Sequence, residues 1–132
     1  MTDADLAGAF WERARTALTV AEHVLGISPR EAASRAYYAA FYAVSALFAL
    51  RGCTFKRHSA VESAVHRDLV KTGQWAESLG EEYSRLARLR NISDYAVMES
   101  ILEKDAQRSL AAASDILQAV ARSYPENFGV KT

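Results

Sequence analysis

Three short groups in this 132-residue chain carry side chains suited to handling an anion. The first is Ser34-Arg35-Ala36-Tyr37-Tyr38-Ala39-Ala40-Phe41-Tyr42. The second is Lys56-Arg57-His58-Ser59, and the third is Leu89-Arg90-Asn91-Ile92-Ser93-Asp94-Tyr95. A guanidinium presents a planar fork of donors that matches a phosphate, and a tyrosine ring offers a base something to stack on. In the second group two cations and an imidazole precede an expected helix start, where unpaired backbone N–H groups also favour negative charge. Positive charge at that end does not serve the helix dipole, so the dipole does not explain it. Residue types alone leave two readings open. Either the groups converge on a phosphate-holding cleft, or the tyrosines pack by their rings, Lys56 and Arg57 form a solvated loop, and Asp94 ties Arg90 or Arg35 between helices.

The elements that must position these groups read as helices. Apolar residues recur three and four apart in Ala-rich segments throughout, which makes the chain all-α. Five Ser/Thr-x-x-Asp/Glu pairs suggest helix starts: Thr2–Asp5, Ser28–Glu31, Ser59–Glu62, Ser78–Glu81 and Ser100–Glu103. The first helix is expected from about Asp3 to Leu25, with Phe10, Ala14, Leu18, Ala21 and Leu25 inward and Gly26 as the stop. The second has Pro29 at its first position and runs to about Arg51, before Gly52. The third spans Ser59 to about Lys71. A connector holding Trp75 leads to a fourth helix from Ser78 toward Asn91, so that Leu89–Tyr95 reads as a break. The fifth, opened by Ser100 and Glu103, runs to about Ser123, with Ile101, Ala106, Leu110, Ala113, Leu117, Val120 and Tyr124 inward. One domain over residues 1–125 and a frayed tail over 126–132 complete the expected organisation.

The second helix carries the clearest pattern. At about 100° per residue, Glu31, Ser34, Arg35, Tyr38, Tyr42 and Ser45 share one side, while Tyr37, Ala40, Phe41, Val44 and Phe48 occupy the rest. A helix so apolar belongs at the centre of a bundle, and its single polar stripe then faces a cleft, a partner or water.

Composition narrows the function. Sixteen basic and sixteen acidic residues cancel, which argues against a strong non-specific grip on nucleic acid while allowing a local basic cleft. One cysteine, Cys53, permits no internal disulfide and fits a cytoplasmic protein. The longest apolar run, Ala36–Leu50, contains Ser45 and is short for a membrane span. His23, His58 and His66 lack metal-ligand spacing, and His66, between Val65 and Arg67, reads as a surface residue. Neither a metal nor a cofactor is expected.

The three groups, in this order, resemble the HEPN family of small helical domains, in its compact stand-alone bacterial and archaeal branch. The resemblance extends over nearly the whole chain. It implies an up-and-down antiparallel bundle of about five helices, a homodimer, and a cleft lined by the second and fourth helices. Many members are metal-independent ribonucleases marked by an Arg followed, after four to six residues, by a His. The Arg would stabilise phosphate charge and the His would move a proton. Here the corresponding place after Arg90 holds Tyr95, a poor general base near neutral pH. The resemblance therefore implies an RNA- or nucleotide-binding protein. It would be the toxin-like member of a pair with a minimal nucleotidyltransferase antitoxin, its catalytic motif incomplete. Arg90, Tyr95 and His58 are the candidate catalytic residues; Arg35, Tyr38, Arg57, Asn91 and Asp94 are the candidate ligand-binding ones. A non-catalytic dimeric interaction module or scaffold is the alternative.

Overall fold

The computed structural model describes residues 1–129, and within them every regular element is helical. The helices are α1 (Asp3–Val24), α2 (Pro29–Leu50), α3 (His58–Ala64), α4 (Glu77–Tyr95), α5 (Glu103–Ser123) and α6 (Pro125–Phe128); α3 runs directly into a π-helical stretch, Val65–Val70. Short turns join long neighbours, so the chain folds up and down as a bundle.

α2 lies at the centre, packed against α1, α4 and α5. Its composition explains why. Ala32, Ala33, Ala36, Ala39, Ala40, Ala43, Ala46 and Ala49 are all buried and spread around its circumference. Small residues on every side let three helices approach one axis closely. Val44, Leu47 and Phe48 fill the remaining space. No described helix is long and apolar enough to cross a membrane.

Two of the five expected caps form. Thr2 and Asp5 make a reciprocal box, with both bonds at 3.0–3.1 Å. The Ser28 hydroxyl accepts the Glu31 N–H at 3.1 Å, with Pro29 opening the helix. The other three starts fall elsewhere: the N-caps are Arg57, Ala76 and Leu102, and none makes a side-chain cap bond. At two of them a buried apolar residue, Trp75 or Ile101, immediately precedes the cap. Core packing sets the entry points there, and the serines at 59, 78 and 100 lie inside or outside the helices. Gly52 ends α2 region as expected, with φ at 73°, whereas α1 ends through Leu25 in ordinary right-handed geometry and does not use Gly26 in a left-handed turn.

Two larger corrections bear on function. Leu89–Tyr95 is no break: α4 continues unbroken through Tyr95. The polar side chains there grip neighbours instead of interrupting the helix. The expected frayed tail is also ordered over its first residues. Pro125–Phe128 forms α6, and Phe128, 1% exposed, packs against Trp11 with ring centroids 4.9 Å apart. The remainder of that tail, residues 130–132, lies outside the described residues.

α4 meets the π-helical stretch at Gly80. A Cβ there would come within 2.6 Å of a Val70 methyl and 3.2 Å of the His66 ring. The contact is therefore one that only glycine allows. On its other side α4 is tied to α5 by Arg85, which donates to the Asp105 carbonyl at 3.2 Å and lies 3.9 Å from Glu82.

Because α6 is part of the core, Phe128→Ala should lower unfolding free energy by about 3 kcal/mol in a urea titration. A frayed tail would give no change.

Candidate phosphate-binding site

Arg90 is the hub. Its side chain, 15% exposed, rises from α4 between three phenols, with the guanidinium carbon 5.6 Å from the Tyr37 and Tyr38 ring centroids and 5.5 Å from that of Tyr95. Nη2 donates to the Tyr38 hydroxyl at 3.1 Å and Nη1 to Asn91 Oδ1 at 3.3 Å. Nε lies 3.0 Å from Asp94 Oδ2, an ion pair without good hydrogen-bond angles. Burial alone would pull this guanidinium's pKa down, but Tyr38, Tyr95 and Asp94 outweigh it and the pKa is raised. The charge is fixed.

Asp94 is itself shared. Its second oxygen accepts the Ser34 hydroxyl at 3.0 Å, which joins α4 to α2. So Asp94 pairs with Arg90, and not with Arg35. Arg35 is exposed and lies over the same Tyr38 ring, 5.4 Å from its centroid. It approaches from a groove shared with α1, lined by Glu12, Arg13 and Tyr42. Tyr38 therefore stands between the two arginines and is committed to them as much as to any base.

Beside Arg90 opens a cavity of ≈ 230 Å³ lined by Tyr37, His58, Ser59, Glu62, Ala87, Arg90 and Asn91. The structure thus brings His58, Arg90 and Asn91 together. It does not bring Arg57 there: that residue caps α3 on the exposed surface. Tyr95 stays at the rim, 69% exposed.

His58 is held tightly. Its ring stacks on Phe41, centroids 4.3 Å apart and 11° from parallel, and Nδ1 is 2.7 Å from the Tyr37 hydroxyl. Burial, then the Arg90 charge, lowers its pKa from the ordinary imidazole value. Burial pushes the Tyr37 phenol up to about 12. A phenol is the better donor and a neutral imidazole nitrogen the better acceptor, so we assign the hydrogen to Tyr37 and the remaining N–H of His58 to Nε2. No described residue engages that Nε2–H. Behind them Tyr83 is fully buried beside Tyr37, its hydroxyl in no hydrogen bond of good geometry and its pKa raised well above the usual value by burial and by Tyr37.

Two contributors escaped the sequence reading. Arg30 donates from Nη1 to the carbonyls of Ile92 (3.0 Å) and Ser93 (2.6 Å), and from Nη2 to those of Ala96 (3.0 Å) and Glu99. Ser93 lies in the last turn of α4, where carbonyls lack intrahelical partners; the Ile92 and Ala96 carbonyls also accept the Ala96 and Glu99 N–H groups at 3.1 and 3.2 Å. Arg30 thus grips the last turn of α4, which carries Asp94 and Tyr95, from 62 residues away in sequence. Glu62 is the second. It was legible only as a possible capping partner of Ser59, although it stands one turn after His58 on the same face of α3. His66 is also misplaced by sequence: it is half-buried, with Nε2 2.7 Å from Ser84 Oγ.

The HEPN domain model matches residues 7–124. The chain belongs to the HEPN family. A UPF0332 protein of Thermotoga maritima is 36% identical over 91 residues, 69% of each chain. That aligned share exceeds half of this HEPN protein.

Two outcomes follow. Arg30→Met should remove four side-chain hydrogen bonds to carbonyls, two of which (Ile92 and Ala96) keep backbone donors; it should speed amide exchange at Tyr95 and Ala96 and lower stability by about 2 kcal/mol. His58 should titrate below the free imidazole value by NMR, and Arg90→Met should move it part of the way back. In the folded state His58 resists protonation that the unfolded chain accepts. Stability is therefore complete above the ordinary histidine pKa and declines as pH falls from there toward the depressed value.

Proposed function

We propose that this HEPN protein binds RNA or a nucleotide by holding a phosphate in the cavity beside Arg90. The observation that carries the reading is the donor set lining that one cavity: the Arg90 guanidinium, the His58 Nε2–H, the Ser59 hydroxyl and the Asn91 amide. Because Arg90 is shielded from water by three rings, its charge acts on a ligand more strongly than an exposed arginine would. The family, RNA-binding and nuclease-like, supports the same class of ligand.

Binding is favoured over cleavage. Tyr95 occupies the place of the usual histidine, and an exposed phenol takes up a proton poorly at neutral pH. His58 does not replace that base, because Nδ1 is occupied by Tyr37 and Nε2 carries the hydrogen. We therefore read the chain as the toxin-like, homodimeric member of a cytoplasmic pair with a minimal nucleotidyltransferase, its RNA contact retained without efficient cleavage. The interaction-module reading has one observation in its favour: Arg90 is already engaged by Asn91, Asp94 and Tyr38 within the chain.

A ligand-dependent melting shift separates the two readings, because it is independent of the variant's own stability. Millimolar adenosine 3′-monophosphate should raise the melting temperature of the wild type by several degrees and leave that of Arg90→Met unmoved. No shift in the wild type removes the phosphate reading. With labelled RNA and chelator, the wild type should cleave at or near background, whereas Tyr95→His should gain cleavage at least tenfold above it.

A further inference from the structure

We propose that Glu62 sets the ligand specificity of the Arg90 cavity by accepting a hydrogen bond from a hydroxyl next to the bound phosphate, which selects a ribonucleotide over its deoxy counterpart. The inference rests on the phosphate reading above and adds a residue to it.

The cavity wall otherwise offers donors and one neutral phenol oxygen. Asn91 Oδ1 is taken by Arg90, so its free group is the amide N–H₂. Tyr37 gives its hydrogen to His58. Glu62 is the charged acceptor among the lining residues. One of its oxygens, Oε2, receives the Ser84 hydroxyl at 2.7 Å, and Ser84 Oγ is in turn 2.7 Å from His66 Nε2. Ser84 has a single hydrogen, which goes to the carboxylate, so His66 must donate to Ser84. This relay from the π-helical stretch through α4 fixes the orientation of a half-buried carboxylate. Its other oxygen has no hydrogen-bond partner among the described residues, and no described Lys or Arg forms an ion pair with it.

A fixed carboxylate without a cation, sharing a small cavity with a phosphate site, repels a bare anion. It becomes favourable only when the ligand brings its own donor. A ribose 2′-hydroxyl beside a 3′-phosphate supplies an anion and a donor within a few ångströms, a span that a cavity of ≈ 230 Å³ accommodates. Losing that hydroxyl leaves a carboxylate oxygen desolvated and unpaired, the kind of mismatch that discriminates strongly.

The test is calorimetric titration with adenosine 3′-monophosphate and 2′-deoxyadenosine 3′-monophosphate. The wild type should prefer the ribonucleotide by about tenfold, the size of one hydrogen bond to a charged acceptor. Glu62→Gln keeps an oxygen for Ser84 but removes the charge. It should bind the deoxynucleotide several-fold more tightly than the wild type does, and the preference should shrink to about twofold. If Glu62→Gln does not fold, Ser84→Ala carries the test: it frees the carboxylate to rotate and should cut the preference by at least threefold. Equal, Arg90-dependent binding of both nucleotides by the wild type would overturn the role of Glu62 and leave the phosphate site standing. An unchanged preference in the variants would overturn it too. Binding of neither nucleotide would remove both readings.

Discussion

A desolvated positive charge organises one end of this bundle. Arg90 sits where water reaches it poorly, and a guanidinium in such a place must be compensated. Asp94 supplies the countercharge, Tyr38 a hydroxyl, and Tyr37, Tyr38 and Tyr95 the electron-rich faces. Each compensating group then acquires constraints of its own. Asp94 is anchored by Ser34, and Tyr37 directs its hydrogen to His58. Replacing the arginine would leave a carboxylate and a set of phenols arranged around nothing. The same arrangement ties α2 to α4 and holds the guanidinium beside the cavity, so under the proposed reading the structural and ligand-binding roles of Arg90 are compatible.

The second support is backbone chemistry. α4 ends where its last carbonyls find donors, and Arg30 provides them. That guanidinium holds the last turn of α4 against the start of α2. Asp94 falls one turn after Arg90, at the spacing where opposite charges meet. The turn of α4 that carries Asp94 is thus tied to a residue at the start of α2.

The fold was largely legible in the sequence because it rests on periodicity. α2 announced itself through Ser28, Pro29 and an apolar circumference, and the central position that pattern implied is the one it occupies. The starts of α4 and α5 differ from the capping signals because serine capping is a local preference of about 1 kcal/mol, and burying Trp75 or Ile101 outweighs it. Of the site, Arg90, Asn91 and His58 were legible as residue types and converge in space. Arg57 was not separable from them, since a basic run gives no sign of which side chain turns inward. Arg30 and Glu62 were missed for a different reason: their partners are distant in sequence, and no local pattern encodes a bond to a carbonyl 62 residues away.

The glycine contact between α4 and the π-helical stretch has a mechanical consequence for the cavity. Glu62 belongs to the segment that leads into that stretch, and Arg90 belongs to α4, so the two walls share the contact that Gly80 makes with the Val70 and His66 side chains. The gap between carboxylate and guanidinium is governed by a position that lines neither. A single methyl inserted at Gly80 would act as a wedge, spreading the walls and loosening recognition while leaving every recognising group chemically intact.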